Sequence, residues 1–165
     1  HFALETDSLY QSFENGSLHR NFMGYSSSKT QLMIGLGVSS ISDSWYSFAQ
    51  NEKNIEDYYQ LLEWNKLPVV KGHFLTNEDL IIRKHILNLM CQFETSWNNT
   101  SAYFEELPDV IIHLQEMQND GLLTVENKTI RIQEKGKPFI RNICMAFDLR
   151  LKRKIPENQL FSMTI

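Results

Sequence analysis

The residues best placed to do chemistry are scattered glycines, hydroxyls, imidazoles and thiols. The stretch NFMGYSSSKTQLMIGLGVSSIS, residues 21–42, concentrates the first two. A phosphate cradle needs a third glycine after Gly35 and Gly37 at the dinucleotide spacing, or a following Gly-Lys-Ser/Thr. Neither is present. The serines at Ser39, Ser40 and Ser42 are not in a Gly-x-Ser-x-Gly elbow, and neither Cys91 nor Cys144 has a nucleophile's motif around it. His1, His19, His73, His85 and His113 show no His-x₃-His pair, and the two cysteines lack the paired spacing of a zinc or iron–sulfur site. Expected from these residues are no catalytic nucleophile, no metal ligands and two buried free thiols. The stretch itself reads as a glycine-kinked strand over residues 32–38.

The bulk properties narrow the partners. A formal charge of −4 over 165 residues offers no general attraction to nucleic acid or to an anionic membrane. No apolar run approaches a membrane span and no signal-peptide pattern is present, so the sequence predicts neither a nucleic-acid nor a membrane partner and a cytoplasmic location. The Asn-x-Ser/Thr sequons then carry no function. The chain opens HFALETDSL, without an initiator Met and with apolar alternation, the texture expected of a longer protein's interior.

The elements that must position these residues follow from periodicity and punctuation. A strand-like opening at His1 to Leu4 leads to a polar helix over 7–14, stopped by Asn15-Gly16. Ile55, Tyr58, Tyr59 and Leu62 lie at helical spacing, and Pro68 carries the chain into a loop. From Thr76 the pattern is helical, with Thr76 as N-cap, Asp79 three residues on, and Ile82, Ile86, Leu89 and Met90 on one face. A second helix is predicted over 108–119, with Pro108 in its first turn and Gly121 as its stop. LLTVENKTIRI predicts a hairpin with Asn127 in the left-handed conformation, and residues 138–153 predict one continuous helix with a basic last turn. Helices followed by a hairpin and a helix suit a winged-helix module. Its reading helix holds Asp109 and Glu116 and no Lys or Arg, which argues against DNA.

Taken together, NFMGYSSSKTQLMIGLGVSSIS, LTNEDLIIRKHILNLMC, NDGLLTVENKTIRIQEKG, RNICMAFDLRLKRK and the closing FSMTI resemble, in order and spacing, one family. It is the C-terminal part of the oxygen-independent coproporphyrinogen III oxidases (coproporphyrinogen III dehydrogenases), radical S-adenosylmethionine (SAM) enzymes of haem biosynthesis. The most specific piece is RNICM-x-FD. The resemblance implies an α+β chain in which residues 1–48 are the final strands and helices of a radical SAM partial barrel. Residues 49–75 would be a connector helix and loop, and 76–165 a mostly helical, winged-helix-like domain with one β-hairpin. It implies a parent enzyme that uses a 4Fe–4S cluster and SAM to convert two propionates of coproporphyrinogen III to vinyls, giving protoporphyrinogen IX.

The same resemblance implies that the cluster's Cys-x₃-Cys-x₂-Cys loop lies in an N-terminal barrel outside this sequence. The chain alone should then be inert, with no cofactor bound. Ile41 matches the family isoleucine that contacts SAM. Arg83 and Arg141 are the candidates to hold the substrate's carboxylates, since guanidinium forks suit that task. Met23 stands where the family commonly has glutamine, and a thioether cannot replace an amide's donors. The alternatives are a non-catalytic haem-chaperone paralogue and a free-standing winged-helix interaction module.

Overall fold

The computed structural model describes residues 3–153. Two sequence expectations, the strand beginning at His1 and the closing FSMTI, therefore fall wholly or partly outside the described residues. Of the first, Ala3 and Leu4 are described and do not form a strand.

Helix α1 (Ser8–Glu14) starts where the Asp7 carboxylate accepts a hydrogen bond from the Leu9 amide at 2.7 Å, and it ends at Asn15 and Gly16. A small hairpin follows, β1 (His19–Asn21) against β2 (Gly24–Ser26). The Asn21 side chain accepts from the amides of Met23 and Gly24, which closes its turn. After a long loop come β3 (Ile41–Asp43), β4 (Ser47–Asn51), helix α2 (Ile55–Glu63) and β5 (Val69–Phe74). These strands form an antiparallel sheet in the order β3-β4-β5. The strand expected over 32–38 is absent, and only Met33 bridges to Asp43. Positive φ at Gly37 (97°) and Ser39 (62°) breaks the extended run. Residues 69–74, expected to be loop, are strand because Val69 to Phe74 find their ladder partners in β4.

Helix α3 (Asn77–Gln92) is the spine of the molecule. Its capping box is complete, with the Thr76 hydroxyl accepting from the Asp79 amide and the Asp79 carboxylate accepting from the Thr76 amide. Around it lie β6 (Glu94–Ser96), α4 (Leu107–His113), α5 (Gln115–Asn119), β7 (Leu123–Glu126), β8 (Thr129–Ile132), α6 (Ile140–Met145) and α7 (Leu149–Arg153). The expected hairpin is β7-β8, with Asn127 (φ 49°) and Lys128 (φ 58°) both left-handed. Strand β6, not foreseen, joins it in the order β6-β8-β7.

Two expected continuous helices are each broken. The helix over 108–119 divides at Leu114, whose ψ of −5° departs from helical geometry. The helix over 138–153 becomes a 3₁₀ turn (Glu134–Phe139), α6 and α7. Its second break, after Met145, buries Phe147 completely and lets the Asp148 carboxylate accept from the Leu151 amide.

The core is built from α3, α4, the β7-β8 hairpin and α6. Leu89, Val110, Leu114, Leu123, Ile130, Ile143 and Phe147 are wholly inaccessible. Burial of each such side chain stabilises by about 1.5–3 kcal/mol against leaving it in water. His85, also buried, stacks on Phe147 at 5.6 Å. Its Nδ1 meets the Thr95 hydroxyl at 2.8 Å and its Nε2 the Ala102 carbonyl at 2.7 Å, so Nε2 carries the proton and donates. Burial pushes its pKa below the ordinary value.

Two arginines of α7 strap that helix to the start of α3. Arg150 donates to both oxygens of Asp79 at 2.8 and 2.6 Å, and Arg153 pairs with Glu78 and Glu106. The Arg150 guanidinium, with the Thr76 hydrogen bonds, holds the Asp79 carboxyl well below the usual carboxylate range. Both shifts have one sign for stability. The unfolded chain takes up a proton before folded His85 or Asp79 does, so stability falls as pH falls, first below about 6.5 and then below about 4. Urea midpoints measured from pH 7 to about pH 2 are expected to decline in these two windows. Asp79→Asn should flatten the lower window and leave the upper one.

Candidate functional site

A cleft of about 430 Å³ opens between α3 and the β3-β4-β5 sheet, with Arg20, Phe48, Arg83, Phe147 and Arg150 among its walls. Arg83 is the most heavily anchored of its cations. Its guanidinium donates to the Asp43 carboxylate at 2.6 Å and to the Trp45 carbonyl at 2.9 Å. It also sits 4.4 Å from the centroid of the Trp45 ring and 5.1 Å from that of Phe48. The Asp43 side chain is nearly sealed from solvent and that of Arg83 largely so. Asp43 in addition accepts from the Trp45 amide at 2.9 Å. Together they hold Trp45 at φ 67°, a left-handed conformation that a bulky side chain seldom adopts.

The GLGVSSIS stretch is a folded loop stapled by one residue. Asn51, buried at the end of β4, donates from its side chain to the carbonyls of Gly35 (3.3 Å) and Gly37 (2.9 Å) and from its amide to that of Ser40 (2.9 Å). Gly35 is required by this packing, since a Cβ there would lie 2.7 Å from the Ile41 carbonyl oxygen. The loop delivers Ile41, half-buried, as the first residue of the edge strand β3. Met23 stands exposed at the tip of the β1-β2 hairpin.

The sequence-selected arginines are not brought into one cavity. Arg83 lines the cleft, whereas Arg141 is exposed on α6 and lines none of the three cavities described. Arg20, in β1, was not singled out from the sequence. It lines the cleft with its Nε buried and unpartnered among the described residues, and its guanidinium lies 5.6 Å from the Tyr25 ring. A lone Arg in a three-residue strand gives no periodic signal. Trp45 was missed too, because its position depends on Asp43 and Arg83, which are 40 residues apart.

The residues present do not fit an iron–sulfur cluster. Among the described residues no group of three or more His, Cys, Asp or Glu could hold a metal ion, and the whole sequence has two cysteines. Both thiols are free and buried, and burial pushes Cys91 up to about 11 and Cys144 up to about 12.

No protein-family model matches the chain. Over its full length it is 38% identical to the oxygen-independent coproporphyrinogen III oxidase of Escherichia coli and 33% identical to that of Synechocystis. A solved structure of coproporphyrinogen III oxidase from Escherichia coli, described as a radical SAM enzyme, superimposes with a TM-score of 0.84. It does so over 91% of this chain and 36% of that one, at 34% identity. The chain is homologous to the C-terminal part of the oxygen-independent coproporphyrinogen III oxidases. It spans about 37% of the length of the oxidases it matches in Escherichia coli and Synechocystis. The oxidase resemblance carries the α+β architecture with it, and the described residues form no closed barrel. Among those residues no helix is long and apolar enough to cross a membrane.

Burial, which pushes the Cys91 thiol up to about 11, keeps it almost wholly protonated in the native chain at pH 8. Neither cysteine should react with an aromatic disulfide reagent until urea unfolds the chain, when two thiols per chain appear. Rapid labelling of either thiol in the folded protein would contradict the packing described.

Proposed function

We propose that this chain supplies the C-terminal part of an oxygen-independent coproporphyrinogen III oxidase. The enzyme would oxidatively decarboxylate two propionates of coproporphyrinogen III to vinyls in haem biosynthesis, in the cytoplasm. The observation that carries this reading is the full-length similarity joined to a TM-score of 0.84. In this reading residues 1–48 end the barrel, 49–75 connect, and 76–165 form the helical domain. The cluster and most SAM contacts belong to a barrel segment outside this sequence, and no step of the radical chemistry is assigned to residues of this chain.

The surface supports such a partner. Leu32, Ile34 and Leu36 of the loop are exposed, as are Ile55, Tyr59 and Leu62 of α2 and Val69, Val70 and Phe74 of β5. Exposed apolar side chains gathered on these elements suit an interaction surface. We propose that the barrel segment of the same enzyme covers it.

Within that assembly Ile41 would pack against SAM, a role that an apolar side chain or strand-edge backbone can fill without an ionisable group. Arg83 would present its guanidinium edge to the substrate from the cleft while remaining paired to Asp43. Arg141, exposed and in no ion pair among the described residues, is the freer cation of the two.

The test joins this chain to the barrel segment of the Escherichia coli relative, reconstitutes the product anaerobically with iron and sulfide, and follows SAM cleavage and vinyl formation. Turnover of coproporphyrinogen is expected, with Arg141→Glu raising KM about tenfold at nearly constant kcat, the signature of lost substrate binding. SAM cleavage and porphyrinogen turnover both absent from a folded, cluster-loaded fusion would overturn the reading. An unchanged KM would remove Arg141 from the substrate site.

A further inference from the structure

A second cavity, of about 390 Å³, is walled by Leu18, His19, Lys29, Trp45, Lys84 and Asn88. Its charge differs from that of the cleft. There Arg83 and Arg150 are neutralised by Asp43 and Asp79, and Glu78 and Asp148 line the same space. No Asp or Glu lines the second cavity, and Lys29 and Lys84 have no ion-pair partner among the described residues. Two exposed lysines without a carboxylate partner on the walls of one cavity favour an anion.

The aromatic wall narrows the kind of anion. Trp45 has a left-handed backbone, with Asp43 holding its amide and Arg83 its carbonyl. Strain of this sort persists where the surroundings enforce it, often at ligand clamps. The Trp45 ring, which has the Arg83 guanidinium 4.4 Å from its centroid, lines the cavity together with the apolar Leu18 and Leu87 and the two lysines. A bare phosphate would use the lysines and leave the ring idle. A carboxylate carried on a short alkyl arm from a flat heterocycle would use both.

We infer that this cavity is a carboxylate subsite in which Lys29 and Lys84 hold a propionate while Trp45 packs against the pyrrole that bears it. The assignment rests on the tetrapyrrole reading given above and adds to it a place and two cations that sequence reasoning did not select.

The experiment titrates the 165-residue chain with two probes, coproporphyrin III, the stable oxidised tetrapyrrole with four propionates, followed by its fluorescence, and indole-3-propionate, followed by calorimetry. Both should bind. The double variant Lys29→Glu/Lys84→Glu should weaken each at least tenfold, and Lys128→Glu in the distant hairpin turn should weaken neither. Lys29→Gln and Lys84→Gln, which keep the side-chain volume, should each lose about threefold and guard against a folding defect. Coproporphyrin binding that ignores the lysine variants overturns the subsite and leaves the substrate reading standing. Lysine-dependent binding of indole-3-propionate without coproporphyrin binding keeps a carboxylate pocket, but overturns its assignment to a tetrapyrrole and counts against the substrate reading. Equal displacement of both probes by millimolar inorganic phosphate overturns the carboxylate assignment in favour of a phosphate site.

Discussion

The ion pair between Arg83 and Asp43 is the constraint on which the arrangement of this chain depends. Among the described residues, Arg83 makes the hydrogen bonds that run from α3 to Asp43 of β3 and to Trp45 in the turn before β4. Removing two charges from water costs several kcal/mol per ion, and the geometry here offsets that cost. The guanidinium bonds a carboxylate and a carbonyl while lying between two aromatic rings. The carboxylate in turn bonds the guanidinium and the Trp45 amide. One pair thus ties the sheet to the helix and holds the strained Trp45, with Asp43 and Arg83 lining the cleft of mixed charge and Trp45 lining the lysine-bearing cavity.

The remaining faces of α3 repeat the pattern with other chemistry. His85 ties it to β6 and the Ala102 turn through two neutral hydrogen bonds inside an aromatic cage. Met90 accepts from the Tyr25 hydroxyl and Gln92 donates to Gly16, which brings in the N-terminal hairpin and helix. Asp79 and Glu78 receive the arginines of α7. A helix with a different partner on each side cannot be a simple amphipathic element, so its apolar stripe explains only part of its burial.

This distribution explains what could be read in the sequence. Features set by neighbours in the chain were legible, namely the Thr76 cap, the Asn15-Gly16 stop and the left-handed turn at Asn127. Features set by distant partners were not. Strands β5 and β6 exist because β4 and β8 offer them ladders. The break after Met145 exists because Phe147 fills the core between His85 and Phe104. The 32–38 run reads as a strand by composition, yet Asn51 folds it into a loop through carbonyls that no side-chain pattern reveals. At the site, Ile41 and Arg83 were reached by resemblance alone, and the structure places one at a strand edge and the other in a cleft. Their surroundings, Arg20, Asp43 and Trp45, needed the fold.

A double-mutant cycle on Asp43→Ala and Arg83→Ala, with stabilities from urea unfolding followed by tryptophan fluorescence, tests the organising role of this pair most directly. A coupling free energy of at least about 2 kcal/mol is expected, because each single change strands a buried charge that the double change removes. Additive effects, with a coupling below about 0.5 kcal/mol, would contradict it.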